Sequence, residues 1–153
     1  MKKVTGKIIL VDDQVYEKHL LKDALYEKDW DIEVEYFNNA KDALKHLKKN
    51  ADEIFLIISD MNMPGMSGMD FKKTIDSDDF LRQKSIPFIF VSNDPDREKM
   101  FEAYHYRVQG YFSKPDTVEK QADMLEIIVQ YWISCSHPMK DDITTENPEK
   151  FAN

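Results

Sequence analysis

Five side chains that could carry out chemistry follow four separate apolar segments of the sequence. They are three carboxylic acids, a hydroxyl and an amine, namely Asp12, Asp13, Asp60, Ser92 and Lys114. Carboxylates that share one place repel each other unless a cation neutralises them, and Mg²⁺ is a hard ion that prefers oxygen ligands. Mg²⁺ is usually held by one or two carboxylates together with a phosphate oxygen. If the segments converge, the pattern therefore predicts an open Mg²⁺ site with room for a phosphoryl group.

Each piece of this pattern has a plain structural explanation when it is taken alone. An Asp-Asp pair after a strand often caps a helix, and a Lys-Pro dipeptide often forms a turn. The joint placement argues for function, because the residues come from four segments and share one rim only if strands and helices alternate in the right order.

The apolar segments have the length and composition of β-strands. Strands are predicted at 7–11, 32–37, 54–58 and 87–91, with a short fifth strand at 110–113. Three of them are apolar on both faces, as expected of inner strands in a parallel sheet that is covered by helices. The strand at 32–37 alternates apolar residues with Glu33 and Glu35, which predicts a position at the edge of the sheet.

Helical patterns occupy the stretches between and after the strands. The clearest has apolar residues at positions 40, 43, 44 and 47, with Asn38 or Asn39 as its cap. Four more helices are predicted. The first carries an apolar stripe at 20–25, two begin near Ser67 or Gly68 and near Pro95, and the last covers about 116–134. This alternation predicts an α/β fold with a doubly wound five-stranded parallel sheet, whose ligands bind beyond the carboxyl ends of the strands.

The length and charge of the chain limit its domain count and its partners. A chain of 153 residues is long enough for one hydrophobic core and too short for two ordinary domains. Its formal charge of -8 opposes binding to nucleic acid or to an anionic membrane. We expect one domain over residues 1–135 and a polar, disordered tail over 136–153 that is too short for an output domain. The chain has a single cysteine, Cys135, and we recognise neither a signal peptide nor an apolar run that spans a bilayer, so we expect a cytoplasmic protein.

Four motifs together resemble the receiver domains of bacterial two-component response regulators, in particular single-domain regulators of the chemotaxis type. They are Val11-Asp12-Asp13, the segment SDMNMPGMSG at 59–68, Val91-Ser92, and Tyr111-Phe112-Ser113-Lys114-Pro115. The similarity spans residues 7 to about 134. It implies a flavodoxin-like (βα)5 fold with the strand order 2-1-3-4-5.

The resemblance also implies how the acidic residues would act. Asp60 would accept the phosphoryl group, since a carboxylate can attack phosphorus to form an aspartyl phosphate. Mg²⁺ would be bound by Asp13, Asp60 and the main-chain carbonyl of Asn62, while Asp12 would act through a metal-bound water.

The remaining residues of the pattern would serve binding of the phosphoryl group and the switch. Lys114 would pair with a phosphoryl oxygen, aimed inward by a cis bond between Lys114 and Pro115. Ser92 would bond the phosphoryl group and open a space that Tyr111 fills. Asn93 is larger than the residue usual at its position, and we hypothesise that it narrows access for phosphodonors.

The implied function is that of a stand-alone receiver that passes a signal to other proteins. Its phosphoryl group would come from a histidine kinase or a phosphotransfer protein, and we expect no enzyme activity beyond its own phosphorylation and dephosphorylation. The output surface would be the face of the fourth helix, fifth strand and fifth helix, with candidate contacts at Tyr104, Tyr106, Tyr111, Tyr131 and Trp132. The last helix is apolar around much of its circumference, which indicates either self-association into a homodimer or deep packing against the sheet.

Three other functions stay open at the level of sequence. A phosphatase of the haloacid-dehalogenase type would use the same nucleophile, but it normally needs a second aspartate two residues later, where this chain has Asn62. A flavodoxin-like cofactor binder would need a glycine-rich loop after the first strand, where Asp12-Asp13-Gln14 would repel phosphate. A pseudo-receiver would act as a scaffold without phosphorylation.

Overall fold

The computed structural model describes residues 1–137, which alternate between strands and helices. The strands are β1 Lys2–Val11, β2 Trp30–Phe37, β3 Ile54–Ser59, β4 Phe88–Ser92 and β5 Gly110–Ser113. The helices are α1 Tyr16–Glu27, α2 Ala40–Asn50, α3 Gly68–Ser77, α4 Asp79–Lys84, α5 Arg97–His105 and α6 Val118–Ser134. The predicted fourth and fifth helices correspond to α5 and α6.

All five strands form one parallel sheet in the order β2-β1-β3-β4-β5. This order confirms the predicted doubly wound fold and the predicted edge position of β2. β3 and β4 are buried along their whole length, which explains their unbroken apolar sequences. The strand order changes direction between β1 and β3, and doubly wound folds bind ligands in the crevice at such a reversal.

The register of the strands brings the candidate residues to one edge of the sheet. The last residues of β1 and β3 pair with each other, and the main-chain N–H of Asp60 donates to the carbonyl of Val11 at 2.9 Å. The last residues of β4 and β5 pair likewise, and the main-chain N–H of Lys114 donates to the carbonyl of Ser92 at 2.9 Å. The loops after these four strands therefore start side by side.

An apolar layer covers each face of the sheet. On one face, α2, α3, α4 and α5 pack against side chains such as Ile9, Phe88 and Phe90. On the other face, α1 and α6 pack against alternate residues of the same strands, such as Ile8 and Ile89. Because the strands are packed from both sides, the edge that carries the candidate residues rests on a close-packed frame.

Side-chain caps explain where the helices begin and why one predicted helix is divided. Asn39 and Ser67 accept main-chain N–H groups three residues further on, so α2 and α3 start where the sequence indicated. Asp78 caps α4 in the same way, so two helices lie between β3 and β4 in place of the one predicted. Asp96 caps α5, just after the predicted start near Pro95.

Two sequence predictions concern the end of the chain and membranes. Of the predicted tail at 136–153, residues 138–153 lie outside the described part. Within residues 1–137, no helix is both long and apolar enough to cross a membrane.

Candidate functional site

Three acidic side chains meet where β1 and β3 end. Asp12, Asp13 and Asp60 each place a carboxylate oxygen within 4.8 Å of the other two. Asp12 and Asp60 are buried, whereas Asp13 is exposed to solvent. A set of carboxylate oxygens with one member open to water fits a hard divalent cation that keeps several of its own waters, as Mg²⁺ does.

The loop after β3 fixes the orientation of Asp60. Its Oδ1 accepts the main-chain N–H of Met61 at 2.8 Å, while its Oδ2 lies 3.8 Å from Lys114 Nζ. The loop folds back so that the N–H of Gly68 donates to the carbonyl of Met61 at 2.8 Å. A Cβ on Gly68 would lie 2.0 Å from the carbonyl oxygen of Asp60, so this close approach requires glycine.

Lys114 points into the same pocket from the end of β5. Its Nζ is 2.9 Å from Asp12 Oδ2, 3.3 Å from Glu17 Oε1 and 3.8 Å from Asp60 Oδ2, and its side chain is 4% exposed. The predicted cis bond between Lys114 and Pro115 is wrong, because none of the described peptide bonds is cis. The pairing of β5 with β4 directs the lysine inward with a trans bond.

Burial and neighbouring charges shift the pKa values of Asp12, Asp60 and Lys114 in opposite directions. Burial raises the pKa of Asp12 from 3.8 to about 6, although the hydrogen bond from Lys114 lowers it. Burial also raises the pKa of Asp60, against the charge of Lys114 and the hydrogen bonds of neighbouring N–H groups. Burial alone would lower the pKa of Lys114, but Asp12, Asp60 and Glu17 hold it above its ordinary value. The pocket contains more carboxylates than one lysine neutralises, which favours binding of a further cation.

Ser92 and Tyr111 both contact the loop that follows β4. Ser92 is buried, and its Oγ accepts the main-chain N–H of Asp94 at 3.1 Å. The hydroxyl of Tyr111 donates to the carbonyl of Asp94 at 2.9 Å, and the Tyr111 ring lies 6.0 Å from that of Phe90, centroid to centroid. Both side chains form hydrogen bonds to the main chain of Asp94, so a movement of Ser92 that displaces this residue would also alter the hydrogen bond of Tyr111.

A polar cluster joins the loops that follow β3 and β4. Asn62 Nδ2 donates to Asp94 Oδ2 at 2.8 Å, and Lys99 Nζ lies 2.6 Å from the same oxygen. The hydrogen bonds of Lys99 and Asn62 lower the pKa of Asp94 from 3.8 to about 2. Asn93, in the same loop, is exposed. The residues predicted for the site thus lie together at one edge, while their roles, including metal binding by the Asn62 carbonyl, stay predictions.

Two contributors to the pocket were not identified from the sequence. Glu17, in the first turn of α1, is buried and contacts Lys114. Tyr36, near the end of β2, donates its hydroxyl to the main-chain carbonyl of Asp12 at 2.6 Å. The sequence does contain a signal that Glu17 is buried. Glu17 lies one helical turn before Leu21 and therefore on the same face as the apolar stripe of α1.

Comparison with known proteins finds relatives over most of the described chain. The profile of the response regulator receiver domain matches residues 8–127. The chemotaxis protein CheY-3 of Vibrio cholerae is 32% identical over 130 residues, which cover 81% of this chain and 92% of that protein. The chemotaxis protein CheY1 of Helicobacter pylori is 30% identical over 123 residues, which cover 80% and 96% of the two chains. Among solved structures, the phosphorylated cyanobacterial phytochrome response regulator RcpA is similar, with a TM-score of 0.80, 26% identity, and coverage of 88% of this chain and 99% of that one.

Proposed function

Because the chain belongs to the family of response regulator receiver domains, which serve two-component signalling, we propose that it accepts a phosphoryl group on Asp60 and signals through a change of its surface. The observation that carries this proposal is the convergence of Asp60, Asp12, Asp13 and Lys114 in one strand-end pocket. Phosphoryl transfer depends mainly on positioning and on neutralisation of charge, and this pocket offers both around a carboxylate nucleophile. The similarity to RcpA, a phosphorylated response regulator, supports the proposal.

In the proposed reaction, Asp60 attacks the phosphorus of a phosphohistidine on a kinase or phosphotransfer protein. A carboxylate oxygen forms the new P–O bond as the P–N bond breaks, and the imidazole leaves with the electron pair of that bond. Oδ1 already accepts the N–H of Met61 whereas Oδ2 faces Lys114, so we assign Oδ2 as the attacking atom. Water later hydrolyses the acyl phosphate, which returns the free carboxylate and inorganic phosphate. The chain thus modifies only itself and is not an enzyme in the ordinary sense.

Mg²⁺ is the cofactor that we propose for the acid cluster. Asp13, Asp60 and the main-chain carbonyl of Asn62 would hold it, and Asp12 would act through a water. When bound, the ion would supply positive charge to the phosphoryl oxygens. Lys114 would supply a second positive charge, since its ammonium group lies 3.8 Å from the nucleophile.

The proposed switch starts at the hydroxyl of Ser92. A phosphoryl group on Asp60 offers this hydroxyl a strong anionic acceptor, whereas here the hydroxyl oxygen holds the N–H of Asp94. A hydroxyl can accept one hydrogen bond while it donates another, so the loop at Asp94 would be released if the Ser92 side chain as a whole moved toward the phosphoryl group. Tyr111 donates to the carbonyl of the same residue, so it would lose its anchor and move into the space that opens.

We propose that partner proteins detect this change on the face of α5, β5 and α6. Tyr104 and Tyr131 are 51% and 60% exposed there, so their rings are available to a partner. Tyr106 and Trp132 pack partly against the two core layers and would contribute less. Tyr111, on β5 between the helices, would carry the signal to this face.

The exposed part of α6 also supports self-association as a second use of this surface. Ile127 is 63% exposed and lies, with Tyr131 and Trp132, along a mainly apolar groove of about 280 Å³. We propose a homodimer through this groove and a cytoplasmic location, in keeping with a phosphoryl donor inside the cell. A single monomeric mass in light scattering, with and without beryllofluoride, would contradict the dimer.

Acetyl phosphate provides a direct test of phosphoryl acceptance. Incubation with acetyl phosphate and Mg²⁺ should add one phosphoryl group to the intact mass of the wild type and of Asp70→Asn, an exposed control on α3. Asp60→Asn, and the wild type in EDTA, should gain none. No gain in the wild type would contradict the proposal and favour the pseudo-receiver. Sustained hydrolysis of a generic phosphomonoester that is lost in Asp60→Asn would instead favour the phosphatase.

A further inference from the structure

A buried acidic residue, Glu17, lies beside the pocket but outside the acid cluster. Its Oε1 is 3.3 Å from Lys114 Nζ and 3.4 Å from Gln121 Nε2 on α6. Glu17 and Gln121 are each only 5% exposed. Glu17 is therefore a polar contact point between α1, α6 and the end of β5.

Packing alone does not account for a carboxylate at this position. Glu17 continues the buried stripe of α1 formed by Leu21, Ala24 and Leu25, where an apolar side chain would avoid the cost of removing a charge from water. The first turn of α1 offsets part of that cost, because helix N-termini favour negative charge. The positive charge of Lys114 offsets more of it. The carboxylate and the lysine are thus best understood as a pair.

Lys114 faces three carboxylates at increasing distances. Asp12 at 2.9 Å and Glu17 at 3.3 Å are both closer to its Nζ than Asp60 at 3.8 Å. An ammonium group has three N–H donors, so Asp12 and Glu17 can occupy two and leave the third on the side of Asp60. We infer that Glu17 is a positioning residue, which holds the ammonium group of Lys114 where one N–H is left for an incoming phosphoryl oxygen.

Removing the charge of Glu17 should let the lysine move. The ammonium group would then be shared between Asp12 and Asp60 alone, and a closer pair with Asp60 would occupy the nucleophile. Glu17→Gln keeps the size of the side chain and one acceptor oxygen, so it removes the charge without leaving a cavity. Misplacement of a charged group beside the reacting atoms lowers rates, and we expect phosphorylation to slow by about tenfold.

A kinetic comparison tests whether Glu17 acts through Lys114. The rate of phosphorylation by acetyl phosphate, followed by intact mass, should fall by about tenfold in Glu17→Gln. It should be unchanged in Glu27→Gln, the same substitution at an exposed position of α1. In a Lys114→Ala background, Glu17→Gln should cause no further loss, because the residue on which it acts is gone. An equal loss in both backgrounds, or no loss in either, would overturn the inference.

A second measurement needs no phosphorylation, and this matters because the kinetic role rests on the proposed function. In NMR spectra of the wild type, the ammonium protons of Lys114 should exchange slowly with water and show a nuclear Overhauser effect to the side chain of Glu17. Exchange should be about tenfold faster in Glu17→Gln and unchanged in Glu27→Gln. Absence of that Overhauser effect in the wild type would overturn the inference, even if Glu17→Gln failed to fold. If the NMR pattern appears but the wild type takes up no phosphoryl group, the positioning holds and the proposed function fails.

Discussion

Asp12 combines near-complete burial with a raised pKa, and together they predict how the stability of the metal-free protein depends on pH. Asp12 is 2% exposed, and burial raises its pKa from 3.8 to about 6. When a carboxyl group binds its proton more tightly in the folded state than in the unfolded state, protonation stabilises the folded state. The stabilisation is complete below the pKa of the unfolded state. This contribution is lost as the pH rises through the folded pKa. The rise from 3.8 to about 6 corresponds to about 3 kcal/mol.

Asp12→Asn isolates this contribution, because asparagine does not titrate. From about pH 8 down to about pH 4.5, the free energy of unfolding of the wild type should increase by about 2 kcal/mol relative to that of the variant. Urea unfolding in EDTA, followed by far-ultraviolet circular dichroism, measures both proteins across this range. Asp23→Asn, at an exposed position of α1, is the control for the substitution itself. A difference between wild type and Asp12→Asn that stays constant, or that shrinks as the pH falls, would refute the reasoning.

Mg²⁺ should stabilise the same protein with the opposite dependence on pH. At 100 times its Kd, the ion would add about 2.7 kcal/mol to the free energy of unfolding. At a fixed Mg²⁺ concentration the gain should be smaller at about pH 4.5 than at about pH 8, because protons compete for Asp12 and Asp60. Equal stabilisation at both pH values would contradict a metal site built on these carboxylates.

Three further substitutions test the loops around the pocket. Gly68→Ala should lower the free energy of unfolding by about 3 kcal/mol, measured in urea, because its Cβ would lie 2.0 Å from the carbonyl oxygen of Asp60. Lys99→Ala should raise the pKa of Asp94 from about 2 toward 3.8, measured by a carboxyl ¹³C NMR titration, because the hydrogen bond that lowers it is lost. Asn93→Ala should be phosphorylated faster by acetyl phosphate, since a smaller side chain leaves the pocket more open.

Each of these substitutions has a matched control. Gly65→Ala meets no atom within 4 Å and should cost only about 1 kcal/mol, the price of its positive φ of 78°. Lys48→Ala and Asn50→Ala change residues of the same types in the last turn of α2, which lies before β3 and not directly after a strand of the sheet. Unfolding free energies that are equal for the two glycine variants would contradict the close approach at Gly68. An unchanged Asp94 titration in Lys99→Ala, or equal phosphorylation rates for Asn93→Ala and wild type, would remove the other two predictions.

The fold was predictable because its inner strands are apolar on both faces and alternate with amphipathic helices. Glu33 and Glu35 mark the edge strand, and the residues after each strand mark the edge that carries the candidate site, since parallel strands end on the same side. Caps such as Asn39 and Ser67 are short-range signals, and they located helix starts well.

Features that depend on tertiary contacts were harder to predict. β1 extends back to Lys2 through mainly polar residues and Gly6, whose φ is 107°, because that end pairs with β2 and buries the single apolar side chain of Val4. The division between α3 and α4 depends on a cap by Asp78 within a stretch that otherwise resembles one helix. The sequence alone does not single out Glu17, because a charged residue on a helix is usually solvated and its burial depends on tertiary contacts with Lys114 and Gln121.

Locating the phosphoryl group on the chain tests the proposed chemistry most directly. Borohydride converts an aspartyl phosphate to homoserine, and cleavage after lysine separates Asp12 and Asp13, on the peptide 8–18, from Asp60, on the peptide 50–72. After treatment with acetyl phosphate and Mg²⁺, homoserine is predicted at position 60. Homoserine at position 12 or 13, or a phosphorylated protein without homoserine at position 60, would contradict Asp60 as the phosphoryl acceptor.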